Sequence, residues 1–206
     1  MSVLVNPDRS FWDQRYGEPD WAYGREPNDF LRAQAAALPP GDALCLAEGQ
    51  GRNAVFLASL GHRVIAQDLS SVGLACAQSL AQAQGLALET LCCDLADYAP
   101  TPQSVDLVVA IWMHLPQPLR RTVHRRAITA LRPGGLLILE AYTPDQLALG
   151  TGGPPQRELL IEPDDLRSEL EGLDLELFSA QQRWIDEGPY HHGNSAVIQV
   201  MGRKPG

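Results

Sequence analysis

From residue 42 onward, short runs of apolar residues alternate with segments whose apolar positions recur every three or four residues, the pattern of strands interleaved with amphipathic helices. The run ALCLA (43–47) predicts a first strand. Its helix starts about Gly51, places Ala54, Leu57 and Ala58 on one face, and stops at Gly61. HRVIAQD (62–68) predicts a second strand, and Ser70 or Ser71 caps a helix that carries Leu74, Ala77 and Ala81 and ends near Gly85. A third strand is expected over 87–93, and VDLVVAIW (105–112) is a fourth. Both faces of the fourth run are apolar, as in a central strand of a parallel sheet. A helix follows over 117–131 with Leu119, Val123, Ala127 and Ala130 turned to the sheet, and Pro133-Gly134-Gly135 then breaks the chain before a fifth strand at 136–141.

Beyond residue 142 the alternation stops. A segment rich in Gly and Pro (TGGPP, 151–155) leads to a short helix around 163–171. Two extended runs, 173–186 and 195–203, are joined by GPYHHGN, and a connection that short permits only antiparallel pairing. Residues 1–40, with WDQRYGEPDWAYGREPNDFL at their centre, are too aromatic for a tail and are expected to form helical cover over the carboxyl edge of the sheet. The organisation is therefore one α/β domain, doubly wound in three layers: a cover (1–40), a cofactor-binding core (41–141), a substrate-side segment (142–172) and a terminal hairpin (173–206).

A chain of 206 residues suffices for one such domain with a full core. Its net charge of -9 lacks the basic field that phosphate backbones require, so no nucleic-acid partner is expected. No apolar run approaches the ~20 residues that cross a bilayer, and MSVLVNPDRS does not read as a secretory signal. The four cysteines, at 45, 76, 92 and 93, form no CxxC pair; they read as reduced, mostly core thiols of a cytoplasmic protein.

Gly49-x-Gly51-x-x-Ala54 between strand and helix suits a nucleotide-like ligand, because glycines turn tightly and a helix N-terminus favours negative groups; a plain strand-to-helix turn is the alternative. Asp68, ending the second strand, is placed to accept two ribose hydroxyls, or to cap a helix. Asp94 after the third strand is placed to accept from the amine of an adenine, with the Leu95 amide donating to a ring nitrogen; the alternative is a turn carboxylate. His114 lies after the fourth strand as a candidate general base or a loop-shaping histidine, and Tyr142 at the end of the fifth is a second candidate. His191-His192 suggests no metal, because adjacent side chains diverge and no third ligand is in view. Arg120, Arg121, Arg125 and Arg126 read as a solvated helix face with local ion pairs.

Taken in order, GQGRNAVFLASLGHRVIAQDLS, CCDLADY, VDLVVAIWMHLP and LRPGGLLILEAYTP resemble the successive motifs of class I S-adenosylmethionine-dependent methyltransferases. GRN after the glycines and HLP after the fourth strand resemble the branch that contains tellurite-resistance and thiopurine methyltransferase-like proteins; the resemblance covers about residues 10–203. It implies a seven-stranded, mostly parallel sheet with an antiparallel last strand. It also implies S-adenosylmethionine as cofactor, with Gly49, Gly51 and Glu48 at its methionine part, Asp68 on the ribose and Leu69 on the adenine. Asp94 and Leu95 would meet the adenine edge, and Ile111 and Trp112 the sulfonium and the acceptor. Tyr16, Trp21, Tyr23 and Phe30 would close over the donor, or simply pack the cover. The chain departs from the usual pattern at Cys45, where an acid is common, at Ala47, commonly glycine, and at Glu48, commonly small; Glu48 is placed to supply the missing carboxylate. The expected activity is methyl transfer to a small molecule, a thiol or chalcogen oxyanion needing no base. The alternatives are an NAD(P)-dependent oxidoreductase and a non-catalytic S-adenosylmethionine-binding protein. These motifs specify neither the acceptor nor the oligomeric state.

Overall fold

The computed structural model describes residues 7–206; the start of the stretch read above as lacking a secretory signal lies outside the described residues. Seven strands form one sheet: β1 (Asp42–Cys45), β2 (Arg63–Asp68), β3 (Glu89–Cys92), β4 (Val105–Ile111), β5 (Leu131–Tyr142), β6 (Asp174–Asp186) and β7 (His192–Arg203). Their spatial order is β3-β2-β1-β4-β5-β7-β6, and only β7 runs antiparallel to its neighbours. The seven-stranded α/β architecture is thus the one expected from the pattern of runs.

The two-residue period of the strands sorts their side chains onto two faces. Leu44, Val108, Leu137 and Leu139 pack with helices α5 (Gln117–Ala130) and α7 (Pro163–Glu169) on one side, with the single turn α6 (Gln146–Leu149) between the two in the chain. Ala43, Cys45, Leu107, Val109 and Ile138 pack with α2 (Asp29–Ala35), α3 (Arg52–Ser59) and α4 (Ser71–Ala83) on the other. Residues 7–40 hold α1 (Arg9–Tyr16) as well as α2; the side chains of Asp8 and Asn28 accept the Phe11 and Leu31 amides and start the two helices.

Several boundaries differ from the sequence pattern, for local reasons. β1 ends at Cys45 because Ala47 takes φ +50, and β4 ends at Ile111 because Trp112 takes φ +58. Both are left-handed conformations that side chains disfavour. Pro133-Gly134-Gly135 does not break the chain before β5. It lies inside the strand as a bulge, with Val105 opposite Leu131 and Leu107 already opposite Leu136. Gly134 and Gly135 keep their pairing by exchanging hydrogen bonds with Lys204. β7 starts at His192 rather than at 195, since Asp186 already pairs with His192.

The arginine stripe on α5 also reads differently in three dimensions. Arg120 is 1% exposed and makes two parallel hydrogen bonds, 3.0 and 2.9 Å, to Glu169 of α7, which also contacts His124 at 2.9 Å. Arg126 donates to the carbonyls of Leu95, Ala96 and Tyr98, so Arg121 and Arg125 are what remains of the exposed face. The cysteines are unpaired, but only Cys45 is buried; Cys92 is exposed. Removing one member of a buried pair leaves the other charge uncompensated. Glu169→Ala should therefore cost about 3–5 kcal/mol in urea-induced unfolding, whereas Arg121→Ala should change stability by under about 0.5 kcal/mol; similar small effects for both would refute the structural role of the pair.

Candidate functional site

The sheet order reverses between β1 and β4, and at the carboxyl ends of these strands α/β sheets open a crevice for ligands. A cavity of about 480 Å³ occupies that place. The cover, the loop around Gly153–Gln156 and the turn between β6 and β7 roof it.

The turn after β1 is built by its departures from the common motif. Gly51 caps α3 without a side chain, and the carboxylate of Glu48 takes over, accepting the Asn53 and Ala54 amides at 3.0 and 2.8 Å through one oxygen. The other oxygen has no hydrogen-bond partner among the described residues, and the side chain lines the cavity. Burial pushes the Glu48 carboxyl up to about 7, against the two amides and Arg52 that pull it down. Cys45, at the end of β1, is a buried thiol raised by burial and by Glu48. Ala47 keeps the left-handed backbone that a glycine would adopt freely and donates its amide to Gln67 at 3.1 Å.

Gly49 and Gly51, expected beside the methionine part of the ligand, do not line the cavity. A methyl group on Gly49 would come within 2.6 Å of the Tyr16 hydroxyl, and one on Gly51 within 2.3 Å of the Ala77 methyl. The first glycine admits the cover and the second admits α4; close approach is required in both cases, but by protein.

Asp68 is buried and pushed up to about 6 by that burial. It accepts the Gly49 amide at 2.7 Å and the Ser70 amide at 2.8 Å, one on each oxygen, and it is among the residues that line the cavity. The helix cap of α4 is Ser70, not Asp68. Leu69, Asp94 and Leu95 line the same end; Asp94 also accepts the Ala96 amide, so the turn role and the exposure to a ligand coexist. Tyr16 and Tyr23 line the cavity, with Trp12 stacked on Tyr16 at 5.6 Å, while Trp21 and Phe30 do not. Phe30 belongs to the core instead.

At the other end, Ile111, Trp112 and His114 line the cavity. Trp112 stacks on Tyr142 at 4.4 Å and donates its indole N–H to Glu187 at 2.6 Å. Tyr142 is fully buried beneath it, capped by Gly152 and Gly153, and does not reach the cavity. His114 Nδ1–H donates to the Leu159 carbonyl at 3.1 Å, and Nε2 accepts the Tyr142 amide at 3.4 Å. Burial pulls this imidazole down to about 4, so it stays neutral and shapes the loop rather than awaiting a proton. His191 is buried against Tyr23 at 4.6 Å, Trp112 at 5.0 Å and Tyr142 at 5.2 Å, whereas His192 is exposed beside Asp186.

Sequence reasoning missed the residues that assemble the roof. Gln50 accepts the Ala22 amide at 3.0 Å, and Asn53 accepts the Asn28 amide at 2.9 Å. Arg52 pairs with Glu187 of the hairpin turn, with both side chains about 95% buried. The signal was present in Gln50-Gly51-Arg52-Asn53, a polar run that opens a buried helix.

Residues 43–135 match the family model described as a methyltransferase domain. The tRNA 5-carboxymethoxyuridine methyltransferase of Escherichia coli (strain K12) is 29% identical over 132 residues, covering 56% of this chain and 50% of the relative, so the chain spans about half the length of the curated relatives it matches. Among solved structures, one described under conversion of a disulfide bond into a thioacetal group during echinomycin biosynthesis superposes with a TM-score of 0.76 and 20% identity over 96% of this chain and 90% of the other. TehB from Haemophilus influenzae superposes with a TM-score of 0.71 and 17% identity, over 95% of this chain and 66% of TehB.

The fold is an α/β sheet with a crevice at its switch point, and the stretch that matches the methyltransferase-domain model supplies much of that crevice. S-adenosylmethionine is the cofactor that the match to a methyltransferase domain over residues 43–135 implies. The residues present fit it: Glu48 offers a free carboxylate oxygen to an amino group, Asp68 offers lone pairs to ribose hydroxyls, and Leu69 and Leu95 offer aliphatic surface to an adenine.

Glu48 and Asp68 both have folded values above their ordinary ones, so the stability they contribute is complete below about pH 4 and is lost as pH rises through about 6 and 7. The ligand-free protein should therefore melt at a lower temperature at pH 8 than at pH 5.5. Glu48→Gln, which keeps a hydrogen-bond acceptor, should flatten the upper part of that profile; an unchanged slope would disprove the charged burial of Glu48.

Proposed function

We propose that the protein transfers the methyl group of S-adenosylmethionine to a small, soft nucleophile, a thiol or a chalcogen oxyanion. The carrying observation is chemical: the two side chains that the sequence offered as bases, His114 and Tyr142, are both committed elsewhere. Both nitrogens of His114 hold backbone groups, burial drives His191 well below its ordinary value, and Tyr142 lies beneath Trp112. An alcohol or amine acceptor must lose a proton on transfer, whereas a thiolate or oxyanion arrives without one. The cofactor supplies a carbon already activated by a positive sulfur. The chain supplies alignment and dryness: Glu48 and Asp68 hold the donor's polar ends, and Trp12, Tyr16 and Tyr23 exclude water and present aromatic faces to a cation.

The curated relative, described as acting on 5-carboxymethoxyuridine in tRNA, favours a second reading with a nucleic-acid acceptor. The net charge of -9 and the roofed crevice support the small molecule. Unpaired cysteines support a reducing, cytoplasmic location. Among the described residues, no helix is long and apolar enough to cross a membrane.

Two measurements test the reading. S-adenosylhomocysteine at a hundredfold excess over its Kd should raise the melting temperature by about 5–10 °C, while NADH and NADPH should not; the reverse pattern would make the protein an oxidoreductase. His114→Ala should lower turnover of a thiol by less than about tenfold, against the 10²–10⁴ that a general base contributes; a loss in that larger range, with cofactor binding intact, would restore His114 as the base.

A further inference from the structure

The acceptor end of the cavity is electrostatically one-sided in an acidic protein. The carboxylates lining the cavity, Glu48, Asp68 and Asp94, belong to the turn after β1 and to the ends of β2 and β3, where the donor is placed. The acceptor end is lined by Tyr23, Trp112–Leu115, the Gly153–Gln156 loop, Leu159, Tyr190 and His191, a set without a carboxylate. Two guanidinium groups face the cavity. Arg52 is neutralised by Glu187. Arg15, from α1, forms no ion pair among the described residues.

The packing of Arg15 leaves its hydrogen-bonding edge available. Its guanidinium carbon lies over two rings, 3.6 Å from the Tyr190 centroid and 5.0 Å from that of Phe11, contacts that use none of its N–H donors as hydrogen bonds to a carboxylate. One nitrogen, Nη1, reaches the Tyr23 hydroxyl at 3.3 Å. Arginine carries five N–H donors in a rigid plane that matches a carboxylate in two-point fashion, so most of the fork is unused. Glu18, three residues along the chain, accepts from the Tyr190 hydroxyl at 2.8 Å and forms no ion pair with Arg15 among the described residues. The aromatic clamp of Phe11 and Tyr190 thus positions a cation at the rim without consuming its charge.

We propose that Arg15 is the anion anchor of the acceptor subsite, and that the preferred acceptor is a small thiol bearing a carboxylate. The inference rests on the methyl-transfer reading above and assigns the acceptor's charge to a residue. In the reaction the acceptor's thiolate forms the new S–C bond as the sulfonium S–C bond breaks, and the electron pair of that bond leaves on the donor's sulfur. The carboxylate takes no part and only orients.

The test compares 4-mercaptobenzoate with its methyl ester, which differ in charge at the distal end. For the wild-type protein, kcat/KM should favour the acid by about tenfold or more, the scale of a charge-assisted hydrogen bond. In Arg15→Gln the acid-to-ester ratio should fall to about one, and Arg15→Lys should restore part of the preference. A readout independent of turnover is the thermal shift produced by 4-(methylthio)benzoate in the presence of S-adenosylhomocysteine, which should vanish in Arg15→Gln. Failure of both thiols to react, with that Arg15-dependent shift retained, would leave the anchor standing and remove the thiol-transfer reading. Turnover of both thiols without charge preference would overturn the anchor and keep methyl transfer. Loss of stabilisation by S-adenosylhomocysteine in Arg15→Gln would also overturn it, since Arg15 would then merely hold the cover.

Discussion

The contact between Arg52 and Glu187 holds the molecule's separate parts in one arrangement. Two charges buried to about 95% are costly to desolvate, and such a pair survives only when its remaining hydrogen-bonding capacity is filled. Glu187 fills it with Arg52, the indole of Trp112, Arg183 and the amide of Asn28. Burial alone would raise this carboxyl; Arg52 leads the groups that outweigh it and hold it below the ordinary range. These partners come from the start of α3, the end of β4, strand β6 and the cap of α2. The hairpin turn, the cover and the cofactor loop are thereby fixed to each other, and the roof of the cavity follows.

That tie explains why strain collects where it does. Ala47 and Trp112 both adopt left-handed backbone at the two strand ends flanking the switch point, each at a cost of about 1–2 kcal/mol. Trp112 is held there by its amide bond to the Glu140 carbonyl, by Glu187 and by the stack on Tyr142. Glu140 itself is fully buried and accepts from Asn28, Arg183 and Gln199, so the same polar network that anchors the roof also fixes the indole. The outcome is that Trp112 is held on three sides at the edge of the cavity.

Polarity within the cavity is divided with similar economy. Carboxylates stand at the donor end, aromatic rings and a lone guanidinium at the other, and the histidines there are neutral through burial and bonded or packed in place.

The sequence alone determined the layers and the strand directions, because these depend on periodicities of two and 3.6 residues and on a connection too short for a crossover. It also drew attention to Glu48, which the structure places on the cavity with one oxygen on the Asn53 and Ala54 amides. What it left undecided depends on contacts between residues far apart in the chain. The glycines of the opening motif read as places for a ligand, yet they receive Tyr16 and Ala77, which lie 33 and 26 positions away. Arg120 looked solvated on its own helix until α7 covered it with Glu169. His114 and Tyr142 looked equally available until the fold spent both nitrogens of one on backbone groups and buried the other under Trp112. Burial and hydrogen-bond partners are properties of the assembled surfaces, and a side chain's chemistry is settled only when they are.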